Sequence, residues 1–128
     1  MVQAWEDAVR RGDVEALRRL IAAGQDVNAR DAHGQTALMI AAQQGQAGVV
    51  SWLVEHGAEL NHTAKYGLSA LMLAVIRGDA QIVATLVNAG ADLTLRGTGA
   101  PGFAGKTALE LALAQGRTDI ADVLNRAI

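Results

Sequence analysis

The chain has no cysteine, one proline (Pro101), two lysines and four aromatic residues (Trp5, Trp52, Tyr66, Phe103) in 128 positions. Without cysteine there is no disulfide, no thiol nucleophile and no cysteine-based zinc site, and the redox compartment is left unspecified. The net charge is −2 and the pI near 5.8. The strongly basic balance that binding to a phosphate backbone requires is missing, so nucleic acid is not an expected partner. No segment approaches the run of about 18 apolar residues that spans a membrane. The start, Met1-Val2-Gln3-Ala4-Trp5-Glu6-Asp7, lacks the basic and apolar stretches of a secretory leader. A cytoplasmic chain, monomeric when free, is expected, with the periplasm open only if a leader has been removed. Nine arginines against two lysines, with 26 alanines, fit the coding bias of a GC-rich bacterium.

What is present is apolar and small. Hydrophobic residues make up 51% of the chain, mostly 26 Ala, 15 Leu, 11 Val and 6 Ile. That is enough for a real core, and the core must be narrow and aliphatic.

Internal repetition is the dominant signal. Gly12, Gly45 and Gly78 lie 33 residues apart, as do Gly24, Gly57 and Gly90. Val27-Asn28 recurs as Leu60-Asn61 and then as Leu93-Thr94. A fourth copy arrives late, because Gly116 follows Gly78 by 38 residues and Thr107 follows Ser69 by 38. Five residues have been added, placed by the alignment at about Gly97 to Pro101.

Each copy has the makings of a helix pair. Thr36, Ser69 and Thr107 precede short apolar segments and can cap an inner helix, which a glycine then ends. Ile82, Val83, Leu86 and Val87 give the apolar stripe of an outer helix. Such a pair cannot bury its apolar face alone and must stack on its neighbours, and Ala41, Ala42, Ala74 and Ala112 allow a close approach. The units fall at 1–30, 31–63, 64–96 and 97–128. The first and last read as caps, with Glu15, Arg18 and Arg19 at one end and Asp119, Asp122 and Arg126 at the other. The stack reads as complete.

The best copy runs Asp31-Ala-His-Gly-Gln-Thr-Ala-Leu-Met-Ile-Ala-Ala-Gln-Gln-Gly45, then Val49-Val-Ser-Trp-Leu-Val-Glu-His-Gly57-Ala-Glu-Leu-Asn61. This pattern resembles the ankyrin repeat family over essentially the whole chain. The resemblance implies an all-α repeat solenoid with short β-hairpin or turn fingers. It also implies a non-catalytic protein–protein interaction module without metal or cofactor, which binds a protein partner through its concave face and fingertips. Two departures stand out: the family's Pro is Ala37, Ala70 and Ala108, and its His is Met39, Met72 and Glu110. A less rigid stack, with the methionines filling space, is expected.

Carried over slot by slot, the resemblance assigns partner binding to Arg10, Arg11, His33, Gln35, Gln43, Gln44, Lys65, Tyr66, Leu68, Ile76, Arg77, Phe103, Lys106 and Gln115. Tyr66 and Phe103 are the aromatics that folding does not ask for, and aromatics anchor interfaces. Phe103 could instead fold back onto its own finger. Removing residues 97–101, or changing Phe103 to Ser, is expected to weaken binding and leave melting nearly unchanged. Trp5 and Trp52 fall at core positions.

Other apparent chemistry is weaker. Ala100-Pro-Gly-Phe-Ala-Gly-Lys-Thr107 matches a relaxed phosphate-loop pattern, but the repeat already explains its Gly105 and Thr107, and no strand is expected before it. Nucleotide binding is therefore a remote alternative. His33, His56 and His62 lack metal-ligand spacing and are expected on the solvated surface. Asn28 and Asn61 are expected to bond their own local turns. Two further classes stay open: an inhibitor or immunity-type protein blocking one enzyme, and a small regulatory or scaffold subunit.

Overall fold

A computed structural model describes residues 1–99 and 102–128. Among them are eight α-helices: α1 (Gln3–Arg11), α2 (Val14–Ala22), α3 (Ala37–Gln44), α4 (Ala47–Glu55), α5 (Ala70–Arg77), α6 (Ala80–Asn88), α7 (Ala108–Ala114) and α8 (Thr118–Ala127). They form four pairs. The inner helices pack in the order α1, α3, α5, α7, and the outer helices follow as α2, α4, α6, α8. The result is an all-α repeat stack with one continuous core.

No helix exceeds ten residues, so none would be stable alone in water, and packing must supply what length does not. Local signals fix where each begins and ends. The hydroxyls of Thr36, Ser69 and Thr107 accept the backbone N–H groups of Met39, Met72 and Glu110 at 3.3–3.4 Å, as the sequence predicts. Asp13 and Asp79 cap α2 and α6 in the same way, each at 3.1 Å. Six successive residues of α3, Ala37 to Ala42, are buried. A helix buried on nearly every side must alternate large side chains (Leu38, Met39, Ile40) with small ones (Ala37, Ala41, Ala42) where neighbours approach closely, which accounts for part of the alanine-rich composition. Trp5 and Trp52 are both buried, as expected. Met39 and Met72 are almost fully buried and fill the positions the family gives to His.

The β character of the fingers is slight. Isolated bridges join Arg30 to Thr36 and Gly97 to Ala104, and the fingers are otherwise turns. Each is closed by one equivalent rung: Asp31 N–H to Gln35 O at 2.9 Å, Ala64 N–H to Leu68 O at 3.2 Å, and Gly97 N–H to Lys106 O at 3.0 Å. Gly97 therefore keeps the slot held by Asp31 and Ala64, and the five extra residues fall between 98 and 105. This corrects the sequence placement, which began the insertion at Gly97. Ala100 and Pro101 lie outside the described residues.

Two sets of polar contacts tie neighbouring units together. Asn28 Oδ1 accepts Glu59 N–H at 2.8 Å and its Nδ2 donates to Gly57 O at 3.3 Å, while Asn61 Oδ1 accepts Asp92 N–H at 2.8 Å. The asparagines bond the next repeat rather than their own turns. The local turns use aspartates instead, such as Asp26 with Asn28 N–H and Asp92 with Thr94 N–H. In the second set, Gln46 Nε2 donates to Arg10 O (2.8 Å), Arg77 Nη1 to Gln43 O (3.1 Å) and Arg117 Nη2 to Ile76 O (3.3 Å). Each of these side chains lies over the glycine that ends the preceding inner helix: Gly12, Gly45 or Gly78.

Candidate functional site

The second and third fingers meet. Thr98 N–H donates to Tyr66 O at 2.6 Å, and the Tyr66 and Phe103 rings lie 5.8 Å apart, tilted by 42°. This is a favourable aromatic geometry. Phe103 thus packs on the neighbouring finger as well as on the core, and its ring is half-buried. Tyr66 is 39% exposed and, at φ 62° and ψ 19°, is the one non-glycine residue with positive φ among the described residues. An L-residue reaches that left-handed region only at a cost of about 1–2 kcal/mol, so its surroundings must hold it there. Lys65 Nζ sits 4.9 Å from the centroid of the same ring, within cation–π range.

Between these fingers and helices α3 and α5 runs a groove of about 270 Å³. Gln35, Gln43, Lys65, Tyr66, Leu68, Ile76 and Phe103, seven of the fourteen assigned residues, line it together with Met39, Ala64 and Leu73. Leu68 is only 6% exposed, so it forms floor rather than fingertip. Leu68 is apolar where the equivalent Gln35 is polar, and it joins the core directly before the Ser69 cap of α5. Met39 and Leu73 are not among the assigned residues. Met39 lies one turn before Gln43 on α3 and Leu73 three residues before Ile76 on α5, which puts one edge of each into the groove.

The other assigned residues lie elsewhere. Arg10 pairs with Glu6 at 3.1 Å, and Arg11 lies 3.9 Å from Asp13. His33 is an exposed fingertip and Gln44 is half-buried. Arg77 is tied to Gln43 O, and Gln115 Oε1 accepts Arg117 Nε at 3.0 Å. Lys106 is half-buried beside Phe103, whose carbonyl accepts its N–H at 3.1 Å.

The histidines are more engaged than a solvated surface implies. His56 Nδ1 lies 2.7 Å from Trp52 O and its ring stacks on Trp52 at 4.0 Å, while His62 Nε2 lies 2.8 Å from Gly34 O of the preceding finger. Only His33 is free of such contacts among the described residues. At the phosphate-loop-like stretch, the Glu110 carboxylate accepts both the N–H and the hydroxyl of Thr107 at 3.1 Å. Those bonds hold its carboxyl below the usual range, helped by Arg96 at 3.1 Å. The carboxylate thus engages the N–H and hydroxyl of Thr107 in the capping box that starts α7. Asp92 is lowered likewise by the Thr94 hydroxyl and N–H.

The paired helices, repeating fingers and polar ties between units define a helical repeat stack whose usable surface is made by several repeats at once. A family model for ankyrin repeats (3 copies) matches residues 5–97, and the chain belongs to the ankyrin repeat family. Ankyrin repeats are generally protein–protein interaction modules, and the family is typically non-catalytic. No protein of curated function matches the chain. Among the described residues no helix is long and apolar enough to cross a membrane.

Proposed function

We propose that the protein binds a protein partner in the groove between its second and third fingers and helices α3 and α5. One observation carries this reading: half of the concave slots assigned from sequence converge there, around an aromatic pair contributed by two different fingers. Half-exposed aromatics beside aliphatic side chains are the usual anchors of an interface. The mutual bonding of Thr107 and Glu110 weighs against nucleotide use of the Ala100–Thr107 stretch.

The test is affinity purification from the source cell with the wild-type chain and with Tyr66→Ser and Phe103→Ser. Loss of a stoichiometric partner at unchanged melting supports the groove. Equal capture by all three chains removes it. A single captured enzyme whose activity falls on binding identifies an inhibitor, and several weak partners identify a scaffold or regulatory subunit.

A further inference from the structure

Charge is segregated on this chain. The concave slots hold Arg10, Arg11, Lys65, Arg77 and Lys106, five of eleven cations including both lysines, and none of the thirteen carboxylates. Everything else is strongly acidic by difference. The inner helices carry carboxylates only at Glu6, Asp7 and Glu110. Glu6 is paired with Arg10 and Glu110 with Arg96, each at 3.1 Å, while Asp7 accepts Gln3 Nε2 at 2.9 Å near the start of the stack. Asp31, at the base of the first finger, accepts the His33 and Gln35 N–H groups. Among the described residues no carboxylate lies within ion-pairing distance of Lys65, Lys106 or Arg77.

The groove supplies the complement to this charge. Its wall contains one charged side chain, Lys65, and its apolar part includes Met39, Leu68, Leu73, Ile76 and Phe103. At about 270 Å³ it falls just below the range of ordinary small-molecule sites, roughly 300–1,000 Å³. It suits one large side chain with backbone on either side. Lys65 on the groove wall and Lys106 next to Phe103 have no carboxylate partner among the described residues, so this apolar slot is bordered by positive charge and complements a negatively charged ligand.

Resting on the reading that this groove is the binding surface, we infer that its occupant is an extended acidic peptide segment. The segment seats one aromatic or large aliphatic side chain against Phe103 and Ile76 and sets carboxylates beside Lys65 and Lys106. The experiment is selection from a random-peptide display library on the full chain, followed by titration of the selected peptides against variants. Selected sequences are expected to carry Asp or Glu on both sides of one large apolar residue. Their affinity should fall about tenfold in Lys65→Glu/Lys106→Glu, weaken with added salt, and be lost in Tyr66→Ser/Phe103→Ser. Peptides that need Tyr66 and Phe103 but show no acidic excess would overturn the inference and leave the groove standing. Peptides that bind the Tyr66→Ser/Phe103→Ser chain as well as wild type would overturn both. A library that yields no binder overturns the extended-segment inference, and partner capture then tests the groove separately.

Discussion

The contacts that hold one repeat to the next can be weighed by comparing two glycines. Gly45 ends α3 at φ +73°, and a Cβ built on it would lie 2.5–2.7 Å from the guanidinium of Arg77, which donates to Gln43 O. Gly57 lies just past α4 at φ +85°, with nothing within 4 Å of such a Cβ. Both alanine variants suffer the left-handed strain, about 1 kcal/mol. Only Gly45→Ala must also push Arg77 aside. Arg77 is long and exposed, so it can move, and the added loss is its hydrogen bond, about 0.5–1 kcal/mol. The expected totals are about 1 kcal/mol for Gly57→Ala and about 1.5–2 kcal/mol for Gly45→Ala. Each kcal/mol corresponds to about 4 °C in Tm for a domain of this size. Urea unfolding of both variants, with Arg77→Ala alone and combined with Gly45→Ala, gives the coupling directly. Arg77→Ala should cost little more once Gly45→Ala is present. Equal losses in the two glycine variants, or full additivity of Gly45→Ala with Arg77→Ala, would refute a stabilising role for the Arg77 contact.

Three other outcomes follow from the same geometry. Asn28→Ala removes two bonds to the next repeat and Asn61→Ala one, so losses of about 1.5 and about 1 kcal/mol are expected in urea unfolding, with Asn61→Asp retaining most of its stability because the accepting oxygen survives. Glu110 has a folded pKa below its unfolded value, so its contribution is complete above the unfolded pKa and disappears as pH falls through the folded one. Glu110→Gln should therefore melt earlier than wild type near neutral pH and equally in strong acid; a Tm difference independent of pH would contradict the assignment. Removing five residues confined to 98–105 should close the third finger like the second and shift Tm by only a few degrees, whereas removing 97–101 also takes the Gly97 N–H to Lys106 O rung and should cost visibly more in thermal melts.

The parts of this fold that were legible in sequence are those whose cause is local. Thr36, Ser69 and Thr107 cap the helix immediately after them, and a glycine ends each inner helix of the first three units, so period and chemistry point the same way. The polar ties were not legible because their partners are backbone groups 29 to 41 residues away. The period even hides one set of them. Gln46 and Arg117 follow their glycine whereas Arg77 precedes its own, yet all three reach the carbonyl two residues before the glycine of the previous unit. An alignment by slot files them as three unrelated variable residues. The groove was half legible for the same reason: slot assignment finds side chains that face the concave side and says nothing of which ones converge.

Convergence here comes from the lengthened third finger. A finger of ordinary length closes on itself with a rung between residues four apart, as Ala64 and Leu68 do. With Gly97 and Lys106 nine positions apart the chain can reach back, and Thr98 supplies an N–H to the carbonyl of Tyr66. That bond, with the ring contact to Phe103, opposes the strain of a left-handed tyrosine whose equivalent in the first finger, His33, has no positive φ. The Tyr66 side chain is held over the groove by the turn of its own finger together with these contacts from the next. An inserted segment outside the regular repeat thus positions a residue inside it, and the candidate site belongs to the pair of fingers rather than to either one.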